Sequence, residues 1–192
     1  HNIAGAVAAA ANQLAPAEAH FLEAARLEPQ NVVLQLNLSM VRLRGTNAPS
    51  LAEARSALQR ISTNPTNSSL RCLALRELTV DALRQKQSAT ALSFSKQLLS
   101  ETNSVFRDRL LRLEVLRETK SADYKPALAT FQREAASEPG SIAELGVWQM
   151  ANTTPAETLT WLRTLPAGTQ TNLGVAVVTA MCYTTLQDWR GL

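Results

Sequence analysis

Apolar residues recur along most of this 192-residue chain at the three-, four- and seven-residue spacings of a helix. Ala17, Phe21 and Ala24 follow that spacing, and so do Ala54, Leu58 and Ile61. Such a pattern places one apolar stripe along each of a series of amphipathic helices. No segment alternates apolar and polar residues with the two-residue period of a half-buried strand. Short breaks holding Pro or Asn separate the helical stretches, at Pro29, Pro65 and Asn103. The pattern predicts an all-α chain.

The stripes themselves repeat. Ala17-Glu18-Ala19-His20-Phe21-Leu22-Glu23-Ala24-Ala25, ending at Pro29, matches Ala127-Leu128-Ala129-Thr130-Phe131-Gln132-Arg133-Glu134-Ala135, ending at Pro139. Between them lie Ala54 with Leu58, Ile61 and Pro65, then Ala91-Leu92 with Phe94, Leu98 and Leu99. The anchoring alanines at 17, 54, 91 and 127 are separated by 37, 37 and 36 residues. Each copy pairs two amphipathic segments, so the unit is a helical hairpin. The small anchor lets two helices approach closely, and the large residue after it fills the space alongside. One hairpin cannot bury its own apolar face and must stack on its neighbours.

At these residues the chain resembles the tetratricopeptide repeat family, whose roughly 34-residue signature runs Trp, Leu-Gly, Tyr, Ala, Phe, Ala, Pro. Gly5 takes the small-residue place of a first helix, followed by Ala17, Phe21, Ala24 and Pro29. Leu38-Ser39, Leu78-Thr79 and Leu145-Gly146 stand at the Leu-Gly place of later units. The chain departs from the pattern at Phe94, one residue out of register, at Asn103 in place of Pro, and at Thr158 in place of the anchoring Ala. Asp123-Tyr124 leads into Pro126-Ala127 like the family's turn, and Thr154-Pro155 reads as a cap and first helical residue. The resemblance implies a right-handed superhelical solenoid of about five repeats plus one extra helix, some eleven helices in a single domain spanning 1–192. The repeats fall at 1–31, 32–69, 70–104, 105–139 and 140–171, with a partial unit at 172–192. The last segment has Tyr183 in its expected place, and a second helix is due at Arg190-Gly191-Leu192 where the chain stops. The first residues likewise start inside a first helix, so the chain is expected to be a fragment of a longer protein.

Composition narrows the function. Gly (7) and Pro (8) are few and aromatics make up 5%, which suits helices. The net charge of +3 is small, although Arg outnumbers Lys fifteen to four. A nucleic-acid binder carries a denser basic stripe with interleaved aromatics, so that partner is disfavoured. Cys72 and Cys182 lie far apart inside apolar helical patterns and read as small buried hydrophobes, which points to a reducing compartment such as the cytoplasm. Ile3 to Ala11 has no Lys or Arg before it and reads as a packing helix, not a secretory signal. No apolar run approaches the roughly 18 residues of a membrane span.

Catalytic chemistry is not signalled. His1 and His20 have no Cys or second His at ligand spacing, so no metal site is expected. The seven glycines are isolated, so no phosphate-binding loop forms and no cofactor is expected. Glu114 and Glu118 sit one turn apart among arginines and read as a solvated face. The chain is therefore expected to be a protein–protein interaction scaffold and not an enzyme.

In the tetratricopeptide family the first helices line a concave surface. Carried over, the lining residues are Leu36, Met40 and Arg44, then Leu73, Arg76, Val80 and Arg84, then Arg109, Arg112, Leu116 and Lys120, with Ala143, Val147 and Met150 in the fifth unit. The resemblance implies a protein or peptide segment, acidic or amphipathic, as the partner of that groove. Asn2 and Ala6 hold the places where chaperone-clamp members carry their ligand-holding residues, and no Lys is among them. The alternatives are a helical-repeat RNA-binding module, which Leu, Met and Val among the lining residues disfavour, and a substrate-recruiting domain of a larger enzyme. A far-ultraviolet circular dichroism spectrum should be that of a helical protein, and a substantial strand signal would overturn the architecture.

Overall fold

The computed structural model describes residues 1–188, so the second helix expected at Arg190-Gly191-Leu192 lies outside the described residues. Among these, the chain forms twelve α-helices and no strand. They are α1 (Asn2–Ala10), α2 (Leu14–Leu27), α3 (Val32–Arg42), α4 (Ala48–Ser62), α5 (Ser68–Arg84) and α6 (Ser88–Ser100). There follow α7 (Phe106–Glu118), α8 (Tyr124–Ala135), α9 (Pro139–Asn152), α10 (Pro155–Leu162), α11 (Ala167–Gln170) and α12 (Leu173–Leu186). The one helix beyond the expected eleven is α11, a single turn. The chain divides into two compact units, His1–Asp108 and Arg109–Leu192.

Asparagine starts many of the helices. The side-chain oxygens of Asn31, Asn47, Asn67 and Asn172 accept from Val33 N, Ser50 N, Leu70 N and Gly174 N, satisfying amides that have no partner inside the helix. Asn67, which also opens a glycosylation-like triplet, is thereby a cap of α5. At α10 Thr154 and Glu157 form a reciprocal capping box. Pro139, which matches the end of the repeat in the sequence, is in fact the first residue of α9, where its missing N–H costs nothing.

Four helices close in the same way. Asn12, Lys86, Lys120 and Gln187 adopt left-handed backbone with φ of 57°, 57°, 51° and 56°. Behind each, the next residue donates a 6→1 bond: Gln13 N to Ala8 O, Gln87 N to Ala82 O, Ser121 N to Leu116 O and Asp188 N to Tyr183 O. This is the Schellman closure, built here without glycine at a cost of roughly 1–2 kcal/mol per site.

In the first unit, α1 packs on α2, α2 on α3, α3 on α4 and α5, α4 on α5, and α5 on α6. Gly5 is buried under the ring of Phe21, so close that a β-carbon there would lie 2.8 Å from the ring. Ala8, Ala17, Leu38 and Val41 complete that core. A second core joins Leu36, Leu43, Ala54, Leu58, Ile61, Ala74 and Leu78. Ser39 and Thr79 are buried with their hydroxyls donating to the carbonyls one turn back, Gln35 O and Leu75 O, both at 2.7 Å.

In the second unit, α9 packs on α8, α10 and α12, and α10 and α11 also touch α12. Gly146 plays the part of Gly5, with Val178 2.8 Å from the position of its absent β-carbon. Thr158 is fully buried in the anchoring place, its hydroxyl satisfied by Thr154 O at 3.2 Å. Ala127, by contrast, is only half-buried, and α8 buries Phe131 and Ala135 instead.

Replacing Phe21 or Phe131 by Ala should each cost about 3–5 kcal/mol in urea unfolding, and Gly5→Ala about 1–3 kcal/mol from overpacking against the ring. Losses below about 1 kcal/mol at both phenylalanines would show that these helix faces are misassigned.

Candidate functional site

The residues expected to line a groove are sorted by the structure into three groups. Leu36 (2% exposed) and Leu116 (1%) belong to the interior and are unavailable to a partner. Leu36 is buried because α3 turns it into the junction with α4 and α5. A second group consists of arginines already engaged. Arg76 grips Asp108 with Nε on Oδ1 and Nη2 on Oδ2, the latter at 2.8 Å. Arg84 donates from Nη1 to the carbonyl of Leu43 at 2.7 Å, capping the end of α3, and lies 3.7 Å from Asp81. In the second unit Arg109 pairs with Glu134. Arg112 is half-buried, and burial pulls its guanidinium down while the Asp123 charge opposes that pull. The third group is open: Arg44, Leu73, Val80 and Lys120 are exposed and Met40 is half-buried.

The carboxylates that hold these arginines come from neighbouring helices. Arg42 on α3 reaches Glu18 on α2 at 2.9 Å and Glu53 on α4 at 2.7 Å. Arg55 on α4 binds the buried Asp81 on α5 at 2.7 Å. Arg71 on α5 binds Glu101 at the end of α6 and also the carbonyl of Asn64. The hydrogen bonds from Arg71 hold the Glu101 carboxyl below its usual range. Asp108 does two jobs, since its Oδ2 also accepts from the amide of Val105 at the start of α7.

Exposed and half-buried positions follow one spacing along α3 and α5 of the first unit. Along α3 and just past its end they are Val33, Asn37, Met40 and Arg44, and on α5 they are Leu73, Glu77, Val80 and Arg84, steps of four, three and four residues in both, with Asn37, Met40 and Glu77 half-buried. Val33, Leu73 and Val80 are 45%, 37% and 46% exposed. Asn37 donates to Asn2 of α1 at 3.1 Å, which seats α1 beside α3. Ala6, Ala9, Phe21, Asn37, Met40, Val41 and Arg44 line a cavity of about 220 Å³ there. Burial raises the Glu77 carboxyl, against the opposing charges of Arg44 and Arg84. Leu36, expected on this face, is turned into the core and the half-buried Asn37 lies there instead, while Arg76 and Glu77 are both half-buried. The two stripes were legible as a shared spacing, but only helix packing settles which of two adjacent residues faces out.

In the second unit, α9 exposes Val147, and α12 exposes Leu173, Val177 and Met181. Met150 is half-buried, its sulfur 3.2 Å from the buried Cys182 thiol, whose pKa burial pushes up. Among the described residues, no three His, Cys, Asp or Glu side chains come together as a metal site would need. Nor is any helix among them long and apolar enough to cross a membrane. No protein-family model, curated protein or solved structure matches the chain.

Asp108→Ala should cost about 1–3 kcal/mol in urea unfolding, because it leaves the Arg76 fork and the Val105 amide without their acceptor. Glu53→Ala, which removes an exposed partner of Arg42, should cost less than about 1 kcal/mol. Equal losses for the two would show that burial of the carboxylate is not what matters.

Proposed function

We propose that the chain is a tetratricopeptide-like scaffold of stacked helical hairpins, continuing as a right-handed solenoid, that binds a segment of another protein along its first helices. The observation that carries this reading is the matched stripe on α3 and α5, with Val33, Met40, Leu73 and Val80 presented beside Arg44 and Arg84. Apolar side chains held out on two neighbouring helices at the same spacing offer contact area to an extended or helical segment.

The partner is an amphipathic segment with an acidic edge. Arg44 is exposed at one end of the α3 stripe, and Arg84 at the corresponding end of α5 keeps half its side-chain surface in solvent while it caps Leu43. Arg76 and Arg109 are excluded from direct recognition by their carboxylate partners. Affinity then rests more on the apolar stripe than on a basic field, and rising salt should weaken association only modestly. The same first-helix face is what supports a binding role.

The test compares proteins captured from the natural host by the unmodified chain with those captured by two exposed-site variants. Val80→Glu on the stripe should reduce capture of a specific partner about tenfold or more, as expected when a charge enters an apolar contact. Gln59→Glu, on the exposed side of α4, should leave it unchanged. Equal capture by both variants would rule out the α3–α5 face.

A further inference from the structure

The second unit contains a pocket, with polar side chains in its lining, that the binding face does not use. It has a volume of about 430 Å³ and is lined by residues of four helices or their ends, among them Arg117, Tyr124, Gln132, Gln149 and Glu157. Four side-chain atoms among the described residues are buried without a hydrogen-bond partner in the protein. Three of them, Arg117 Nε, Tyr124 OH and Gln149 Nε2, belong to residues lining this pocket. A buried donor left without an acceptor costs about 1–3 kcal/mol, so three at one place call for a shared acceptor.

The surroundings leave each of these groups able to donate. Gln132 Nε2 donates to Gln149 Oε1 at 3.1 Å, which consumes the amide oxygen and leaves its nitrogen. Gln149 itself is 1% exposed, on the α9 stripe where Ile142 and Leu145 set an apolar period. Arg117 spends Nη2 on Glu118 at 2.7 Å and keeps Nε. Burial raises the Tyr124 hydroxyl above its ordinary range, with the Glu157 charge adding to the rise and Arg117 opposing it, so the phenol stays protonated. The ring of Tyr124 is steadied by Trp148, centroids 6.5 Å apart. Glu157 is partly committed elsewhere, because its Oε2 accepts from the amide and hydroxyl of Thr154 in the capping box.

We propose that this pocket binds the carboxylate of a small organic acid, through Arg117 Nε, Tyr124 OH and Gln149 Nε2. A carboxylate has about four acceptor positions and can serve all three donors at once. Arg117 makes one of those bonds charge-assisted. A doubly charged inorganic oxoanion fits less well, since Glu157 lies on the pocket wall and offsets Lys125 beside it. The volume accepts an acid of a few carbon atoms, and Leu128 supplies an apolar wall for its chain.

The experiment is a proton–nitrogen NMR titration of the whole chain with sodium acetate, sodium succinate, sodium phosphate and sodium chloride at constant ionic strength. Saturable shifts of the Gln149 side-chain amide and the Arg117 Nε–H are expected with acetate or succinate and not with chloride. Tyr124→Phe keeps the ring against Trp148 and should weaken binding about threefold, and Gln149→Leu about tenfold, each the loss of one or two hydrogen bonds. Shifts no different from those in chloride would show that the donors are met by water alone and would overturn the proposal. So would tighter binding of phosphate than of either acid, or equal affinity of both folded variants and the unmodified chain.

Discussion

Two helices can bring their backbones close only where one of them offers almost no side chain, and the hairpins of this chain are organised around that constraint. Gly5 receives the ring of Phe21, and Gly146 receives Val178. Where the corresponding place holds Ser39 or Thr79, the hydroxyl folds back onto its own helix and presents little bulk to the neighbour. The close approach lets Ala17, Ala54 and Ala91 be buried against their neighbours. With the interhelix distances so fixed, the remaining positions on each helix are committed to a core or left for solvent.

Charge follows the same logic. Arg42, Arg55, Arg71 and Arg76 each reach a carboxylate on another helix or at its end, and Asp81 and Asp108 are nearly withdrawn from water in doing so. Taking such carboxylates out of water is costly, and the pairs therefore specify how hairpins seat more than they add net stability. A count of fifteen arginines overstates the positive field available to a partner, because many of the cations are consumed in joining neighbouring helices.

Helix content was legible in the sequence because it is expressed in the spacing of apolar residues. Ala17, Ala54, Ala91, Thr158, Phe21 and Phe131 are buried, whereas Ala127 is only half-buried. Two features were not legible. Whether Leu36 or Asn37 points outward depends on a rotation of about 100° about the helix axis, which the seating of α4 and α5 decides and an apolar count does not. The left-handed closures at Lys86 and Lys120 carry no glycine to announce them, since the 6→1 bonds behind them offset the strain. Gln149 did carry a signal, an amide on an otherwise apolar stripe, but its meaning needed Arg117 and Tyr124 on other helices.

The packing of each helix on those near it in sequence has a consequence for how the chain acquires its structure. Within each unit the ion pairs that reach farthest along the chain span only about one hairpin, as Arg76 to Asp108 does at a separation of 32 residues. Loop closure over so short a distance is cheap, and chains dominated by such local contacts fold fast. A nascent hairpin can therefore dock as soon as its predecessor is in place, without waiting for distant sequence to emerge.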